Sequence, residues 1–352
     1  MTPELSAVVV SHRSSAEAAC CVASLAEAFL RETIRGEILL VDCGSGPEEQ
    51  ARLAATPADR RLLLVENRGY AGGVNAGLAA ARGAKLLVCN ADVVFAPGCV
   101  RILAAALEDP AVGAAAPMAV WDEQGRLSLP PGFAPGLLRD LAQFWAGRWP
   151  GWDDRRFGRF ARETLRLWRQ GGRVPHLSGA VLAVRRDVFD RVGRFDERFP
   201  FEYEETEWEE RVVKAGLELR FLSDARIRHL WARSASRNPE TSARRAASER
   251  LYRNRRYGRA GRALLERAAR ERQASPFRVE ESEMPPLIPA RAGAFLALSP
   301  NPSRIPFAGT DLTADFSLPP EIRDALAGRW FFTIFRAENG RPIETFAWER
   351  RA

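Results

Sequence analysis

The first hundred residues alternate between short apolar runs and longer stretches with helical spacing, and this alternation limits most strongly how the chain can fold. The β-branched run Leu5 to Val10 is typical of a buried parallel strand. The later strand-like runs are Glu37 to Val41, Arg61 to Glu66 and Lys85 to Cys89. Helical patterns lie between them, among them Ala16 to Thr33 and Val74 to Ala81. This order predicts an α/β fold with an open, mainly parallel sheet and helices on both faces.

Polar residues follow each of these strands at the point where the strand ends. The four clusters are Ser11-His12-Arg13, Asp42-Cys43-Gly44-Ser45, Asn67-Arg68-Gly69 and Asn90-Ala91-Asp92. Ligands of open α/β sheets bind beyond the carboxyl ends of the strands. The convergence of these clusters therefore predicts a ligand site at that edge of the sheet.

Two of the clusters have specific chemistry. The carboxylate of Asp92 suits Mg²⁺ or Mn²⁺ shared with a diphosphate, and a turn-capping aspartate is the alternative. The glycine-rich segment 66–77 can offer free N–H groups to an anion, and a tight structural turn is the alternative. Its spacing matches neither GxGxxG nor the P-loop pattern, which argues against a dinucleotide dehydrogenase or a P-loop NTPase.

The segment Phe201 to Arg211 is unusually acidic, with six glutamates in nine residues. Their mutual repulsion predicts a raised pKa for at least one of them. We interpret most of these glutamates as a solvated helix face and one of Glu204 or Glu205 as a general base. His229 follows a strand downstream and is a candidate metal ligand, whereas His12 and His176 have weaker claims.

The remainder of the chain suggests two further regions. Aromatic and arginine residues interleave from about 127 to 173, and Trp145, Trp149 and Trp152 have helical spacing there. This pattern fits contact with an acceptor, a membrane surface or a nucleic acid, and packing in a core is the alternative. After Pro285, two strand-like runs flank Glu338-Asn339-Gly340, a hairpin turn signal. We therefore expect a main domain over 1–275, with an insertion at about 127–173, and a small β-rich appendage over 285–352.

Composition bounds the environment of the protein. The five cysteines show no metal spacing and fit a reduced compartment, and no export signal begins the chain. We expect a cytoplasmic location, with peripheral contact at the inner face of the membrane as a further expectation. The net charge of +7 favours anionic partners. We expect no nucleic acid among them, because the arginines fall outside known reading motifs.

Taken in order, these motifs resemble family 2 glycosyltransferases with the GT-A fold, in the rhamnosyltransferase-like branch. The resemblance covers about Leu5 to Ala268. Beyond the strand-end clusters it includes Ser178-Gly179-Ala180, Arg194-Phe195-Asp196-Glu197-Arg198-Phe199, Glu204-Glu205-Thr206-Glu207 and His229. Such enzymes use a nucleotide-diphosphate sugar and a divalent metal ion.

The resemblance implies roles for individual residues. Asp42 would contact the nucleobase or ribose, Asn67 and Gly69 would line the nucleotide pocket, and Asp92 would hold the metal ion with His229. The acid pair Glu204-Glu205 would contain the base, most naturally Glu205. We also assign nucleotide-sugar binding to Ser11, Arg68, Asn75 and Asn90, and the acceptor side to Ser178 and Gly179.

The implied reaction is an inverting transfer of a sugar to a glycan or lipid-linked acceptor hydroxyl, as in cell-surface polysaccharide assembly. Two positions depart from the family pattern. Asn90 replaces the first aspartate of the metal motif, and Glu205 replaces the expected aspartate base. These departures leave one alternative, a catalytically inactive nucleotide-sugar or glycan-binding protein on the same fold.

Overall fold

The computed structural model describes residues 2–144, 149–230, 239–270, 277, 279–282, 285–324, 326 and 328–350. The chain forms two compact units. The first contains Met1–Ala119 and Gln170–Tyr252, and the second contains Val120–Arg169 and Arg253–Ala352. The segment that we expected as an acceptor-side insertion is thus grouped with C-terminal residues. Within the described ranges, no helix is long and apolar enough to cross a membrane.

The first unit is an α/β structure. Its strands are β1 (Leu5–Ser11), β2 (Gly36–Cys43), β3 (Arg60–Leu64), β4 (Lys85–Asn90), β5 (Val93–Phe95), β6 (Val112–Val120), β7 (Gly172–Val174), β8 (Val181–Arg185) and β9 (Glu218–His229). Its helices are α1 (Ser15–Arg31), α2 (Pro47–Ala54), α3 (Gly69–Ala80), α4 (Cys99–Ala106), α7 (Arg186–Val192) and α8 (Glu204–Lys214). The four strands expected in the first hundred residues are confirmed to within one or two residues at each end.

The nine strands form one mixed sheet in the order β3-β2-β1-β4-β8-β6-β9-β5, with β7 paired to β9. Strands β1 to β4 are mutually parallel, as the alternation predicts. Strand β8 is antiparallel to β4, and β5 is antiparallel to β9. Strands β1, β2 and β4 are almost entirely buried, so the polar residues at their carboxyl ends stand on a rigid support.

Two local expectations were wrong. Helix α3 begins at Gly69, not at Val74, because its glycines serve close packing of the helix on the sheet. A Cβ on Gly73 would stand 2.5 Å from the Sγ atom of Cys43. The sequence from Val174 to Val184 is also strand-like and predicts one strand, but residues 175–180 form a loop between β7 and β8 that packs against α8.

The second unit is built on a five-stranded sheet with the order β10-β14-β13-β11-β12. Its strands are β10 (Val279–Ser282), β11 (Ala294–Ser299), β12 (Ala308–Asp311), β13 (Arg329–Arg336) and β14 (Pro342–Arg350). Its helices are α5 (Leu137–Phe144), α6 (Pro150–Gln170) and α10 (Pro320–Arg323), while α9 (Pro239–Arg270) contributes to both units. The predicted hairpin is confirmed, because β13 and β14 pair antiparallel.

The aromatic residues of the arginine-rich segment divide into two groups. Phe157 and Trp168 pack against Phe307 in the core of the second unit, with ring centroids 5.6 and 5.9 Å away. Trp149 and Trp152 are exposed, so the core-packing interpretation does not hold for these two. Trp145, the third member of the predicted set, lies outside the described residues.

Candidate functional site

The turn after β2 is held together by Asp42. Its carboxylate is fully buried and accepts hydrogen bonds from the Ser45 backbone N–H and from Gln50 Nε2, each at 3.0 Å. The Ser45 hydroxyl donates to the same carboxylate. Asp42 thus fixes the shape of the turn that ends the strand.

His12 connects three of the strand-end clusters. Its Nδ1 atom donates to the carbonyl oxygen of Cys43 at 2.8 Å, and this tautomer leaves Nε2 free to accept from the side-chain amide of Asn67 at 3.3 Å. The Asn67 Oδ1 atom accepts from the backbone N–H of Gly69 at 2.9 Å. Gly69 has φ +73°, and a Cβ there would stand 2.9 Å from the carbonyl oxygen of Pro200, so this position requires glycine.

Asp92 and His229 meet across the β5–β9 pair. Val93 at the start of β5 is in register with His229, and the Leu230 backbone N–H donates to the Asp92 carbonyl oxygen at 3.0 Å. As a result, Asp92 Oδ1 lies 3.3 Å from His229 Nε2, with both side chains largely shielded from solvent. The two predicted metal ligands are therefore neighbours although they are far apart in the sequence.

The donor set of this pair fits a shared metal ion. Over the described parts of the chain, no group of three or more His, Cys, Asp and Glu side chains could hold an ion by itself. Ions such as Mg²⁺ need only one or two protein ligands when phosphate oxygens and water complete their shell. The Asp92 carboxylate and the His229 imidazole thus suit an ion that arrives with a diphosphate.

The acid pair lies in the first turn of α8 and is shielded from water. Glu204 is buried, and its pKa is raised well above its ordinary value by burial and by the neighbouring charge of Glu205. Burial also raises the pKa of Glu205 to about 7, against the opposing effect of His176. Among the residues that the structure describes, the Oε2 atom of each carboxyl group has no hydrogen-bond partner. A carboxyl with this pKa can accept a proton near neutral pH.

The loop between β7 and β8 covers the acid pair. Gly179 lies directly on Glu205, since a Cβ at position 179 would stand 2.8 Å from Glu205 Cγ. One turn farther along α8, Glu209 Oε2 accepts a hydrogen bond from the Leu177 backbone N–H at 3.1 Å and pairs with His176 Nδ1. The predicted acceptor-side residue Gly179 and the predicted base are thus in contact.

Tyr70 joins the two charged halves of the site. Its hydroxyl oxygen is buried and has no hydrogen-bond partner within the described part of the chain. The pKa of the phenol is raised by burial and by the charges of Cys89, Glu204, Glu205 and Asp92. The acid pair and the proposed metal ligand Asp92 are thus all near enough to this hydroxyl group to influence its ionisation.

Arg68 and Asn75 hold the loop that precedes α8. The Arg68 guanidinium pairs with Glu197 at 2.6 Å, and Asn75 Nδ2 donates to Glu197 Oε1 at 3.0 Å. Asn75 also exchanges two hydrogen bonds with the backbone of Phe195. These contacts explain the loop's position. In this structure they engage the side chains of both Arg68 and Asn75, which we assigned to nucleotide-sugar binding.

The remaining predicted residues contribute through strand geometry. Ser11 is buried at the end of β1, where its hydroxyl contacts that of Ser14 at 3.1 Å. The Asn90 backbone N–H donates to the Ala180 carbonyl oxygen at 2.9 Å, which ties the metal motif to the loop before β8. Ser178 is half-buried in that loop.

Sequence reasoning missed four residues of this site. Tyr70 was read only as part of a glycine-rich turn, and Glu209 only as one of several solvated glutamates. His12 and His176 were given weak claims because neither belongs to a metal-binding spacing. Glu209 stands four residues after Glu205, on the same helix face, and this spacing was the available signal.

Comparison with known proteins agrees with this arrangement. Residues 6–193 match the family model described as Glycosyl transferase family 2. The chain is 31% identical over 252 residues to an N-acetylglucosaminyl-diphospho-decaprenol L-rhamnosyltransferase of Mycobacterium tuberculosis, found in strains CDC 1551 / Oshkosh and H37Rv. That similarity covers 68% of this chain and 80% of the relative.

Two solved glycosyltransferase structures are similar to the chain. GalNAc-T7 with UDP, GalNAc and Mn²⁺ has 19% identity and a TM-score of 0.48, over 74% of this chain and 51% of its own. The mannosyltransferase PcManGT from Pyrobaculum calidifontis, in complex with GDP-Man and Mn²⁺, has 15% identity and a TM-score of 0.46, over 78% and 77%. From the family match and the rhamnosyltransferase relative, together with the mainly parallel sheet, the chain belongs to glycosyltransferase family 2 and is a glycosyltransferase with the GT-A fold.

Proposed function

We propose that the protein transfers a sugar, with inversion, from a nucleotide-diphosphate donor to a hydroxyl group of a lipid-linked glycan. The observation that carries this proposal is the loop before β8, which contacts Glu205 through Gly179 and accepts a hydrogen bond at Ala180 from Asn90, two residues before Asp92. A base and a metal ligand are thus close to each other at the sheet edge where donors of such folds bind. The name of the mycobacterial relative supports a prenyl-diphosphate-linked acceptor and L-rhamnose as the first sugar to test.

Glu205 is the proposed general base. Its carboxylate accepts the proton of the acceptor hydroxyl as the hydroxyl oxygen attacks the anomeric carbon. The bond from that carbon to the diphosphate breaks on the opposite face, and the nucleoside diphosphate leaves with the bonding electron pair. One in-line displacement of this kind inverts the anomeric centre. Gly179 is in contact with Glu205, and its lack of a side chain leaves space for the Glu205 side chain.

Asp92 and His229 would hold the divalent ion. When bound, a Mg²⁺ or Mn²⁺ ion stabilises the negative charge of a departing diphosphate. One carboxylate and one imidazole leave most coordination positions for phosphate oxygens and water. We therefore propose that the ion binds together with the donor.

The loops after β1, β2 and β3 form the proposed nucleotide side. His12 and Asn67 link them, and Asp42 fixes the turn after β2. Helix α3 begins beside the loop after β3, and the N-terminus of a helix favours an anion. We propose that the buried Asp42 acts mainly by presenting this turn to the nucleotide.

Exposed tryptophans support a further part of the proposal, peripheral contact with a membrane. Trp149 and Trp152 are exposed beside α6, and Leu138 on α5 is 82% exposed. Indole rings partition to the interface of a bilayer, where a lipid-linked acceptor resides.

Replacing both tryptophans with serine should reduce sedimentation with anionic liposomes severalfold. The control is Leu264→Ser, which changes an exposed apolar residue on α9. Unchanged sedimentation of the double tryptophan variant would contradict this contact.

Donor binding tests the proposed function directly. Nucleotide-diphosphate sugars should raise the melting temperature of the protein in Mn²⁺, and this increase should vanish with a chelator. Slow, metal-dependent hydrolysis of a bound donor would favour an enzyme over the inactive alternative. Absence of stabilisation by every donor tested, at millimolar concentration, would contradict the proposal.

A further inference from the structure

The pair formed by His176 and Glu209 lies beside the proposed base, and this pair has no role in the proposed transfer reaction. Glu209 is 1% exposed, and its Oε2 atom receives both the His176 ring and the Leu177 backbone N–H. This pair differs from an ordinary surface ion pair, because Glu209 is buried and also accepts a backbone hydrogen bond. The arrangement fixes the His176 ring relative to α8.

The same helix face carries Glu205. Residues four apart in an α-helix lie one above the other, so Glu205 and Glu209 point toward the same side. The loop that carries His176 passes over both of them, with Leu177 bonded to Glu209 and Gly179 packed on Glu205. His176 is therefore the imidazole, cationic when protonated, that this loop brings to the acid pair.

We propose that His176, held in place by Glu209, is a positioning residue that keeps the Glu205 carboxylate ionised and ready to accept a proton. The inference rests on the proposed function, in which Glu205 is the base. With Nδ1 donating to Glu209, a protonated ring carries its second N–H on Nε2 and has a full positive charge. Such a charge favours a nearby carboxylate over its neutral acid.

The acidic neighbours of Glu205 act against its ionisation. Glu204 and Glu202 are the acidic neighbours at the start of α8, and Glu209 adds a third negative charge. The neutral phenol of Tyr70 approaches from α3. Burial also opposes ionisation of Glu205, and the contributions that favour ionisation are the charge of His176 and a hydrogen bond from the helix backbone. Without His176, Glu205 should hold its proton to a higher pH.

The test measures the pKa of Glu205 directly. Protein labelled with ¹³C at the glutamate side-chain carboxyl carbons is titrated by NMR, and the Glu205 signal is assigned by its loss in Glu205→Gln. In His176→Gln, we expect the pKa of Glu205 to rise by about one unit or more. In His176→Lys, which restores a positive charge, it should stay close to the wild-type value. Arg173→Gln, which removes an exposed charge from nearby β7, is the control and should change nothing.

Kinetics provide the second readout. The acidic limb of the pH profile of kcat/KM should move upward in His176→Gln and return in His176→Lys, with nucleotide-diphosphate affinity unchanged. An unshifted Glu205 in His176→Gln, or equal shifts in the glutamine and lysine variants, would overturn the inference. If the carboxyl shifts as expected but wild-type protein transfers no sugar, the proposed function fails and the electrostatic link between His176 and Glu205 stands.

Discussion

At the scale of single residues, the Glu205 carboxyl group is subject to opposing influences. Burial favours its neutral form and His176 favours its charged form, and the result is a pKa of about 7. A general base works best when its pKa lies near the operating pH. The longer side chain of glutamate, which replaces the aspartate expected from the resemblance, is thus accommodated beside Gly179 with suitable protonation behaviour.

Replacing Glu205 with glutamine should remove the base but keep the size of the side chain. We expect kcat to fall by about 10²–10⁴-fold, with little change in nucleotide-diphosphate affinity. In the wild type, kcat/KM should fall about tenfold for each pH unit below about 7. Glu207→Gln, which alters a glutamate paired with Arg211 on the same helix, is the control. Near-normal turnover of Glu205→Gln would refute the assignment.

The raised pKa of Glu205 also predicts how stability depends on pH. A folded-state pKa above the unfolded value means that the folded state binds the proton more tightly, so stability is full below about pH 4.5 and falls as the pH rises through about 7. Glu205→Gln removes this loss. In urea unfolding, the stability advantage of the variant over the wild type should therefore be larger at pH 8 than at pH 4 by about 3 kcal/mol. Equal differences at both pH values would contradict the raised pKa.

Asp92→Ala should abolish metal-dependent donor binding. The substitution removes the only carboxylate of the proposed ion site, so calorimetry with a nucleoside diphosphate and Mn²⁺ should show at least tenfold weaker binding. His229→Ala should have a smaller effect in the same direction. Asp224→Ala, at an exposed position on β9, should bind normally. Full metal-dependent affinity in Asp92→Ala would place the ion elsewhere.

At the scale of elements, helix α3 determines where α8 begins. Asn75 on α3 is buried and bonds both to Phe195 and to Glu197, in the loop between α7 and α8. Arg68, just before α3, bonds to Glu197 as well. The loop is thereby attached to the helix that carries Tyr70, which keeps the acid pair near the strand ends.

Asn75→Ala should weaken this attachment. Three hydrogen bonds are lost and the buried groups of the loop are left unpaired, so we expect the free energy of unfolding to fall by about 1–3 kcal/mol. Denaturant titration measures the change, and Asn254→Ala, at an exposed position on α9, is the control. A fall no larger than that of the control would show that the Asn75 contacts do not hold the loop.

Elements differ in how well the sequence predicts them. Strands β1, β2 and β4 were predictable because each is a buried run with few polar residues, and β3 because of its leucine run. The start of α3 was not, because Gly69, Gly72 and Gly73 are typical of turns and their role depends on the sheet beneath them. The contact of Glu209 with Leu177 was also not predictable, because no local sequence pattern indicates which loop will cover a helix face.

At the scale of the whole molecule, the site draws on both ends of the first unit's sequence. The family match ends at residue 193, whereas Glu205 and His229 lie beyond it. Pairing of β5 with β9 and the course of the 175–180 loop return these residues to the strand ends. The pairing of Asp92 with His229 was predictable only through the resemblance, because sequence spacing alone does not specify a contact across antiparallel strands.

The central claim is that a metal-dependent transfer is performed with Glu205 as base. The most direct measurement is product formation from nucleotide-diphosphate L-rhamnose and a prenyl-diphosphate-linked N-acetylglucosamine, followed with and without Mn²⁺ for the wild type and Glu205→Gln. The account predicts a disaccharide of inverted anomeric configuration from the wild type in Mn²⁺ and almost none from the variant. Product with retained configuration, or equal product from both proteins, would contradict it.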